Sequence, residues 1–146
     1  MKEISEIEIL LVEDNIDDAN LAIRALRKNN LANQLFHVKD GVEALDFIYG
    51  QGQFARPGII KPKLIILDVK MPKIDGKEVL KKLKGDKLTK HIPVVMLTSY
   101  KDPDILTCYD LGANSYIVKP VEFDKFQKTV SEIGMYWLMI NQPPTS

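Results

Sequence analysis

The chain has 146 residues, 45% of them hydrophobic, which is the size and composition of one domain with a substantial core. Twenty Lys and Arg residues balance twenty Asp and Glu residues, so no overall charge favours nucleic acid or an acidic membrane surface. One cysteine, Cys108, excludes an internal disulfide and favours a reducing compartment, and no apolar run approaches the roughly 20 residues of a membrane span, so we expect a cytoplasmic protein.

Five short apolar runs rich in Ile, Leu and Val alternate with helical patterns, which is typical of a parallel sheet wrapped by crossover helices. The predicted strands are residues 7–13, 34–38, 64–68, 94–98 and 115–119. The first, third and fourth are nearly continuous apolar runs, as expected for strands covered on both faces. We therefore expect an α/β fold with a doubly wound five-stranded parallel sheet in the strand order 2-1-3-4-5.

A helical pattern follows each predicted strand. The second helix covers about residues 42–49, and the third begins after Asp75-Gly76. The fourth begins at Asp102, which can cap it, and ends near Gly112. The predicted inward-facing side chains have helical spacing: Leu21, Ala22, Ala25 and Leu26 in the first helix, Val79, Leu80 and Leu83 in the third, and Phe123, Phe126, Val130, Ile133, Trp137 and Ile140 in the fifth.

Two segments have no clear periodicity. Residues 50–63 are rich in Gly and Pro and are predicted to form a surface loop before the third strand. Residues 141–146 include two prolines, cannot continue a helix, and are expected to leave the domain as a flexible tail. We therefore predict a single domain over residues 1–146, with a core of about 6–140.

Polar side chains stand where four of the predicted strands end. They are Glu13 and Asp14 after the first strand, Asp68 at the third, Thr98 at the fourth and Lys119 at the fifth. The carboxyl ends of parallel strands lie at one edge of a sheet, and ligands bind where the strand order reverses, here between the first and third strands. We therefore expect the three carboxylates to share a shallow pocket that the threonine and the lysine flank.

Such a cluster of carboxylates predicts a cation and a phosphoryl group. Three carboxylates about 5 Å apart repel each other by roughly 3 kcal/mol per pair at an effective dielectric constant near 20. Lys119 offsets part of this charge, and an oxygen-only site with open positions suits Mg²⁺, which accepts phosphate oxygens. Asp68 would then be the nucleophile, Lys119 would neutralise developing charge, and the Thr98 hydroxyl would donate to a phosphoryl oxygen.

Each of these residues also has a purely structural explanation. Asp14 or Asn15 could cap the first helix, and Asp68 could begin a turn. Thr98 could cap the fourth helix, and Lys119 could be a solvated surface charge. For each residue taken singly the structural explanation is preferred, but their joint occurrence at the ends of four strands favours phosphoryl chemistry.

Four segments resemble the response-regulator receiver family, the phosphoacceptor half of two-component signalling. They are residues 10–15 (LLVEDN), 65–76 (IILDVKMPKIDG), 95–99 (VMLTS) and 112–120 (GANSYIVKP). The resemblance covers the whole chain and implies the flavodoxin-like receiver fold of a chemotaxis-type, single-domain response regulator. It implies a phosphoprotein that takes a phosphoryl group from a histidine kinase onto Asp68. No enzyme activity is expected beyond its own phosphorylation and dephosphorylation.

The resemblance also implies the metal ligands. Asp14 and Asp68 would bind Mg²⁺ directly, Glu13 would contribute through water, and Lys70 would supply its backbone carbonyl. Glu13 departs from the Asp that many members carry, which bears on metal affinity.

A conformational switch is implied as well. Thr98 would move toward the phosphoryl group and Tyr116 would rotate inward, which would remodel the face formed by the fourth helix, the fifth strand and the fifth helix. The Lys119–Pro120 peptide would be cis and would help to aim the lysine. Tyr116 could otherwise be an ordinary half-buried strand residue.

A narrower resemblance rests on the long loop 50–63 and on the aromatic end Tyr136-Trp137 followed by Pro143-Pro144. Both features are similar to small stand-alone regulators that partner bacterial and cyanobacterial phytochromes. They imply a phytochrome kinase as partner and a symmetric homodimer through the fourth helix, fifth strand and fifth helix. A loop insertion and a tryptophan that completes the core would explain them equally well. The downstream partner would be an unknown protein, with no direct contact to nucleic acid or membrane.

Three other functions use similar residues or the same topology. A phosphatase of the haloacid dehalogenase type would need Asp14 as nucleophile and a second Asp two residues later, where this chain has Ile16. A pseudo-receiver would have lost phosphorylation, although all the required groups are present here. A flavin-binding module would need a Ser/Thr/Gly-rich loop after the first strand, where Glu13 and Asp14 would repel a phosphate.

Overall fold

The computed structural model of the chain describes residues 7–28, 34–71, 73–98, 105–118 and 123–140. Strands and helices alternate along these residues: β1 Ile9–Val12, α1 Ile16–Lys28, β2 Leu35–Val38, α2 Gly41–Tyr49, β3 Leu64–Asp68, α3 Gly76–Gly85, β4 Val94–Thr98, α4 Ile105–Asp110, β5 Ser115–Val118 and α5 Phe123–Met135. A 3₁₀ turn, Gly52–Phe54, follows α2, and a π-helical turn, Tyr136–Ile140, continues α5.

The five strands form one parallel sheet in the order β2-β1-β3-β4-β5, as predicted. The strand order reverses between β1 and β3, because β2 lies on one side of β1 and all later strands lie on the other. The register pairs Val12 with Leu67 and Asp68 with Leu97. The last residues of β1, β3 and β4 therefore lie side by side at one edge of the sheet.

Both faces of the sheet are covered by helices, which explains the continuous apolar runs. On one face Leu10, Val12, Ile65 and Leu67 pack against buried residues of α2, α3 and α4. On the other face Ile9, Leu11, Leu64 and Ile66 pack against α1 and α5. Each large aliphatic side chain that is fully buried in this way contributes about 1.5–3 kcal/mol relative to exposure. Alternate residues of a strand thus belong to different layers of the core.

Side-chain caps set the starts of α2 and α3 next to the sheet edge. Asp40 has extended backbone angles, and its Oδ1 accepts the Glu43 N–H over 2.8 Å, so α2 begins at Gly41 rather than at the predicted residue 42. Asp75 Oδ1 accepts the Lys77 N–H over 2.7 Å at the start of α3. α3 therefore begins at Gly76, one residue before the predicted start after Asp75-Gly76.

The predicted first strand, residues 7–13, is too long at both ends, because β1 covers Ile9–Val12. Glu13 still donates its N–H to the Val38 carbonyl over 3.1 Å, but the chain then turns toward α1. The second strand begins at Leu35 instead of residue 34. Two strands are predicted correctly at both ends: residues 64–68 and 94–98.

The inward faces of α1 and α3 follow the predicted spacing with one exception. The buried side chains of α3 include Val79, Leu80 and Leu83, as predicted. In α1 the buried positions are Ala19, Ala22, Ala25 and Leu26. Leu21 is only half-buried, because the period of 3.6 residues places it at the edge of the inner stripe.

The segment 50–63 is not simply a surface loop, since it inserts side chains into the core. The Phe54 ring meets Phe36 and Phe47 edge-on, with centroid distances of 5.6 and 5.3 Å, and Ile60 is buried. The Arg56 guanidinium donates to the carbonyls of Phe54 and Phe47. A period-based prediction misses this anchoring because it depends on aromatic contacts with two other elements.

The last helix changes type before its end. Regular α-helix stops at Met135, and the wider π turn Tyr136–Ile140 shifts the register of the inner face. Val130 is buried, and Ile133, Trp137 and Leu138 pack against the core under α1 and α5. Leu138 was not among the predicted inward positions. The side chains of three predicted positions lie outside the described part of the chain: Phe123, Phe126 and Ile140.

Several predictions fall outside the described residues: the cap of the fourth helix at Asp102, Lys119 at the end of the fifth strand, the Lys119–Pro120 peptide, and the tail 141–146 with Pro143-Pro144. The exit of α4 is described and confirmed, because Gly112 has φ +106° and donates its N–H to the Tyr109 carbonyl over 3.0 Å. Among the described helices, none combines the length and the apolar character that crossing a membrane requires.

Candidate functional site

Three carboxylates meet at the carboxyl edge of the sheet, where the strand order reverses. One carboxylate oxygen each of Glu13, Asp14 and Asp68 lies within 4.8 Å of the others. Glu13 is fully buried, Asp68 is 6% exposed, and Asp14 is exposed. The predicted convergence of these three residues is confirmed, and it places negative charges close together in a partly buried site.

The turn from β1 into α1 explains how Asp14 comes to face this site. Asn15 Oδ1 accepts the Asp18 N–H over 3.0 Å, so Asn15 caps α1. The Asn15 N–H donates to Glu13 Oε2 over 3.2 Å, which orients the buried carboxylate. Because Asn15 caps α1, Asp14 is not needed as the helix cap, which was one of the roles that the sequence allowed for it.

Asp68 ends the central strand β3 and takes part in the following turn. The Lys70 N–H donates to Asp68 Oδ1 over 3.3 Å, which places the Lys70 backbone beside the acidic cluster. Gly76 at the start of α3 packs against this turn, because a Cβ there would lie 2.1 Å from the Asp68 carbonyl oxygen. Only glycine, which has no Cβ, permits this close approach. The sequence indicated Gly76 only as part of the start of a helix.

Thr98 is the last residue of β4 and is 4% exposed. Its neighbour Leu97 pairs with Asp68 and accepts the Val69 N–H over 3.0 Å. Thr98 therefore lies one step beyond Asp68 on the adjacent strand, on the side away from β1. Lys119 follows the last residue of β5 and lies outside the described residues, so its role stays a prediction.

Tyr116 lies on β5, one strand further from the acidic cluster. Its side chain is half-buried, its hydroxyl oxygen is buried, and its ring packs against the core under α2, α3 and α4. The Tyr109 ring on α4 lies 6.4 Å away, tilted by 40°. Tyr116 thus connects the sheet with α4.

The loop after Asp68 is held to the start of α2 by an ion pair. Lys73, which has a left-handed φ of +68°, places its Nζ 3.3 Å from Asp40 Oδ2. Burial alone would raise the pKa of the Asp40 carboxyl, but hydrogen bonds from the Glu43 N–H and from Lys73 outweigh it and lower this pKa. The ionised cap therefore joins two loops at the carboxyl edge.

His37 on β2 is a polar residue near the site that the sequence analysis missed. Its Nε2 lies 2.8 Å from the Glu13 carbonyl oxygen. The available signal was a histidine inside the short strand Leu35–Val38, whose other residues are apolar. Sequence spacing alone does not indicate this contact, because the two residues are 24 positions apart.

The ligand chemistry of the cluster fits a hard divalent cation. All three clustered groups are carboxylates, and one of them, Asp14, is exposed. Mg²⁺ and similar ions prefer oxygen ligands and keep open positions for water or phosphate oxygens. Neutralising several like charges is also what a cation would supply here.

Residues 9–131 match the response regulator receiver domain. Probable methanogenesis regulatory protein FilR2 of Methanothrix harundinacea is 39% identical over 140 residues, covering 93% of this chain and 86% of that protein. Response regulator Rcp1 of Synechocystis is 37% identical over 131 residues, covering 89% of this chain and 88% of that protein. These relatives match nearly end to end, so the similarity is not confined to the acidic motifs.

Solved structures show the same fold. The phosphorylated cyanobacterial phytochrome response regulator RcpA superposes with a TM-score of 0.85 at 37% identity, covering 94% of this chain and 97% of that chain. The Mn²⁺-bound form of Rcp1 gives a TM-score of 0.83 at 35% identity, covering 94% and 98%. The flavodoxin-like receiver fold and the resemblance to phytochrome-associated regulators are thereby confirmed. On its sequence, its strand order and its acidic edge, this chain belongs to the response regulator receiver domain family.

Proposed function

We propose that this chain accepts a phosphoryl group on Asp68 in a Mg²⁺-dependent reaction and signals through the surface formed by α4, β5 and α5. Members of the family take a phosphoryl group from a histidine kinase onto an aspartate. The observation that carries the assignment is the convergence of Glu13, Asp14 and Asp68 within 4.8 Å at the carboxyl edge of the sheet.

The position of Asp68 supports it as the nucleophile. Of the three clustered acids it is the one on the central strand β3, with the β1 acids on one side and Thr98 on the other. Glu13 is fully buried, with an oxygen that accepts from the Asn15 N–H. A carboxylate oxygen of Asp68 would form the bond to phosphorus while the bond from phosphorus to the kinase imidazole breaks.

The same residues support metal binding. Receiver domains bind a divalent metal ion, and Rcp1 is described with Mn²⁺ bound. In this chain Asp14 and Asp68 would hold Mg²⁺ directly, Glu13 through water, and Lys70 through its backbone carbonyl. Bound there, the ion would screen the carboxylates from the phosphoryl oxygens and stabilise charge during transfer.

Two further side chains would act on the phosphoryl group itself. The Thr98 hydroxyl, next to Asp68 on the neighbouring strand, would donate to a phosphoryl oxygen and move toward it. Lys119 would neutralise charge on the oxygens, a role that rests on the family resemblance alone. Movement of Thr98 would be coupled to Tyr116, whose buried hydroxyl and contact with Tyr109 connect β5 to α4.

The output surface supports docking to another protein. Leu106 and Tyr109 on α4 are 70% and 45% exposed. They are three positions apart and so lie on the same side of the helix, where a docking partner would cover both. The proposed occupants are a second copy of the chain, in a symmetric dimer through α4, β5 and α5, and an unknown downstream protein. Light scattering that shows a monomer at every concentration, phosphorylated or not, would contradict the dimer.

The input partner is a histidine kinase, and its type remains a proposal. Similarity to RcpA supports a phytochrome kinase, whereas the similarly related FilR2 is described as a regulator of methanogenesis. We propose the phytochrome kinase because the chain is also similar to two bacteriophytochrome response regulators, at 42% and 46% identity. The cytoplasmic location, the single domain over residues 1–146, and the absence of activity beyond its own phosphorylation and dephosphorylation stay predictions.

Intact-protein mass spectrometry tests the phosphorylation site. After incubation with Mg²⁺ and a small phosphodonor, the protein should gain one phosphoryl group, and Asp68→Asn should gain none. Asp17→Asn removes an exposed acid of α1 and should be labelled like the wild type. An unchanged wild-type mass, or equal labelling of Asp68→Asn, would contradict the proposal.

A further inference from the structure

The contact between His37 and the Glu13 carbonyl lies at the start of the segment that carries two of the three clustered acids. His37 is half-buried on β2, the edge strand beside β1. Leu35 packs toward α1 and α5, so His37, two residues later, points to the same face of the sheet. From there its Nε2 reaches the Glu13 carbonyl oxygen over 2.8 Å.

The chemistry of the two atoms determines which one donates. A carbonyl oxygen can only accept, so Nε2 must carry the hydrogen in this contact. Both the Nε2–H tautomer and the imidazolium can make the same bond. The contact therefore requires a hydrogen on Nε2, and the position of that hydrogen can be observed directly.

The regular ladder between β1 and β2 ends at this point. The Glu13 N–H donates to the Val38 carbonyl over 3.1 Å, and Val38 is the last residue of β2. The chain then passes to Asp40, which caps α2. The Glu13 carbonyl is thus the first backbone acceptor beyond the ladder, and the His37 side chain binds it.

This carbonyl belongs to the peptide that joins Glu13 to Asp14, and peptide groups are planar. Holding its oxygen fixes the plane, and with it the direction in which the chain leaves toward Asp14. Glu13 has a second restraint, because its Oε2 accepts the Asn15 N–H over 3.2 Å. The Asp14 carboxylate is exposed, so its position depends more strongly than that of Glu13 on the orientation of the backbone.

We propose that His37 is a positioning residue of the metal site: its Nε2–H holds the Glu13–Asp14 peptide so that both carboxylates face Asp68. The inference rests on the proposed role of these acids in metal binding. Side chains that orient metal ligands through a hydrogen bond typically change metal affinity by about 10–100-fold when they are lost. His37 would thus act on the metal without touching it.

Mn²⁺ binding to the full chain tests the inference, measured from the loss of the free-ion signal in electron paramagnetic resonance. His37→Phe keeps a ring of similar shape but removes the donor, and should weaken Mn²⁺ binding by about tenfold. His37→Gln places an amide N–H near the position of Nε2 and should restore affinity to within about threefold of the wild type. A residue that only fills space would not be rescued in this way.

His91 supplies the matched control. It is the other of the two histidines and is exposed. It precedes β4, at the amino ends of the strands and therefore away from the acidic cluster at their carboxyl ends. His91→Phe should bind Mn²⁺ like the wild type. Equal affinities of wild type and His37→Phe would overturn the inference alone, as would a His37→Gln variant that binds as weakly as His37→Phe. Wild-type protein that fails to bind Mn²⁺ would overturn the proposed metal site together with this inference.

A second measurement needs no variant. Nitrogen-15 resonances of the imidazole in the metal-free wild-type protein report which ring nitrogen carries the hydrogen. The proposal requires a protonated Nε2 in His37. A neutral ring protonated only on Nδ1 would overturn it, even if His37→Phe fails to fold.

Discussion

The amino edge and the carboxyl edge of the sheet, where the parallel strands begin and end, both hold charged side chains that are at least partly buried, but the charge is balanced differently at each. At the amino edge, the Lys84 ammonium donates to the carbonyls of Lys90 and Ile92 and to Asn114 Oδ1, over 3.1, 2.8 and 3.1 Å. Burial lowers the pKa of this ammonium, yet three oxygens surround it. At the carboxyl edge, three carboxylates lie within 4.8 Å of one another.

This difference separates a charge that is satisfied within the chain from the charges of the proposed metal site. Lys84 meets its acceptors within the chain, and the same Asn114 oxygen accepts the Val94 N–H over 2.9 Å, so the amino edge needs no ligand. The carboxyl edge gathers like charges that a cation would stabilise. The hydrogen-bonded ammonium of Lys84 stabilises the fold. The three carboxylates repel one another, which lowers stability but favours binding of a cation. Four measurements test this contrast.

The largest effect is expected from Asp68→Asn in the absence of metal. The change removes one charge from the cluster and keeps the oxygen that accepts the Lys70 N–H. We expect the free energy of unfolding to rise by about 3 kcal/mol, because two repulsive pairs are relieved and solvent already screens the pair with the exposed Asp14. Urea denaturation in the presence of a chelator measures the change. Asp17→Asn, at an exposed position of α1, serves as the control. An Asp68→Asn protein less stable than the wild type would refute the contrast.

Mg²⁺ bound at the carboxyl edge should offset the repulsion among the three carboxylates. A ligand that binds only the folded state at about 100 times its Kd stabilises that state by ~2.7 kcal/mol. We expect a gain of this size for the wild type in urea denaturation with and without Mg²⁺. Asp68→Asn should gain much less, because one proposed ligand has lost its charge. An equal gain in both proteins would place the ion elsewhere.

Lys84→Met tests the amino edge. It keeps an apolar stem but removes the ammonium donor from the part-buried Ile92 carbonyl and from two exposed oxygens, the Lys90 carbonyl and Asn114 Oδ1. We expect a loss of about 1–2 kcal/mol in the free energy of unfolding, with phosphorylation of Asp68 unchanged. Lys81→Met, on an exposed position of the same helix, should change stability by less than about 0.5 kcal/mol. A Lys84→Met protein as stable as the wild type would show that the ammonium is dispensable.

Asp40→Asn should give the smallest effect, because asparagine caps helices about as well as aspartate. The pKa of Asp40 is lowered from its ordinary value of 3.8, so its charge stabilises the folded state above pH 3.8. This contribution is lost as the pH falls through the lower folded-state pKa. We expect Asp40→Asn to lose about 1 kcal/mol or less near neutral pH, and nothing in strong acid.

Lys73→Met provides a comparison for Asp40→Asn, since it removes the partner ion and leaves the cap in place. It should reproduce part of the loss at neutral pH. The measurement is the free energy of unfolding of both variants as a function of pH. A difference between wild type and Asp40→Asn that persists unchanged into strong acid would contradict the assigned role of the charge.

The positions of the candidate site residues could be predicted because these residues stand at the ends of apolar runs. β3 and β4 are recognisable as continuous apolar segments, so Asp68 and Thr98 could be placed at one edge before any contact was known. The parallel order then brings Glu13 and Asp14 beside them. The same argument extends to Lys119, but its position lies outside the described residues.

Other features depended on contacts between elements that are distant in the sequence. Phe54 enters the core only because Phe36 and Phe47 offer ring faces from β2 and α2. The π turn after Met135 breaks the period on which the prediction of the last helix relied. The hydrophobic pattern of one helix or strand indicates which of its residues are buried, but not which other element they contact.

The layered parallel sheet and the identity of the acids at its carboxyl edge can be deduced from the sequence, because hydrophobic period and strand ends are local properties. The contacts that hold the surrounding backbone depend on the tertiary structure: the bond from His37 to the Glu13 carbonyl, and the ion pair between Lys73 and Asp40. These contacts join residues 24 and 33 positions apart (73 minus 40), so they arise only once strand register and loop geometry bring the chain together.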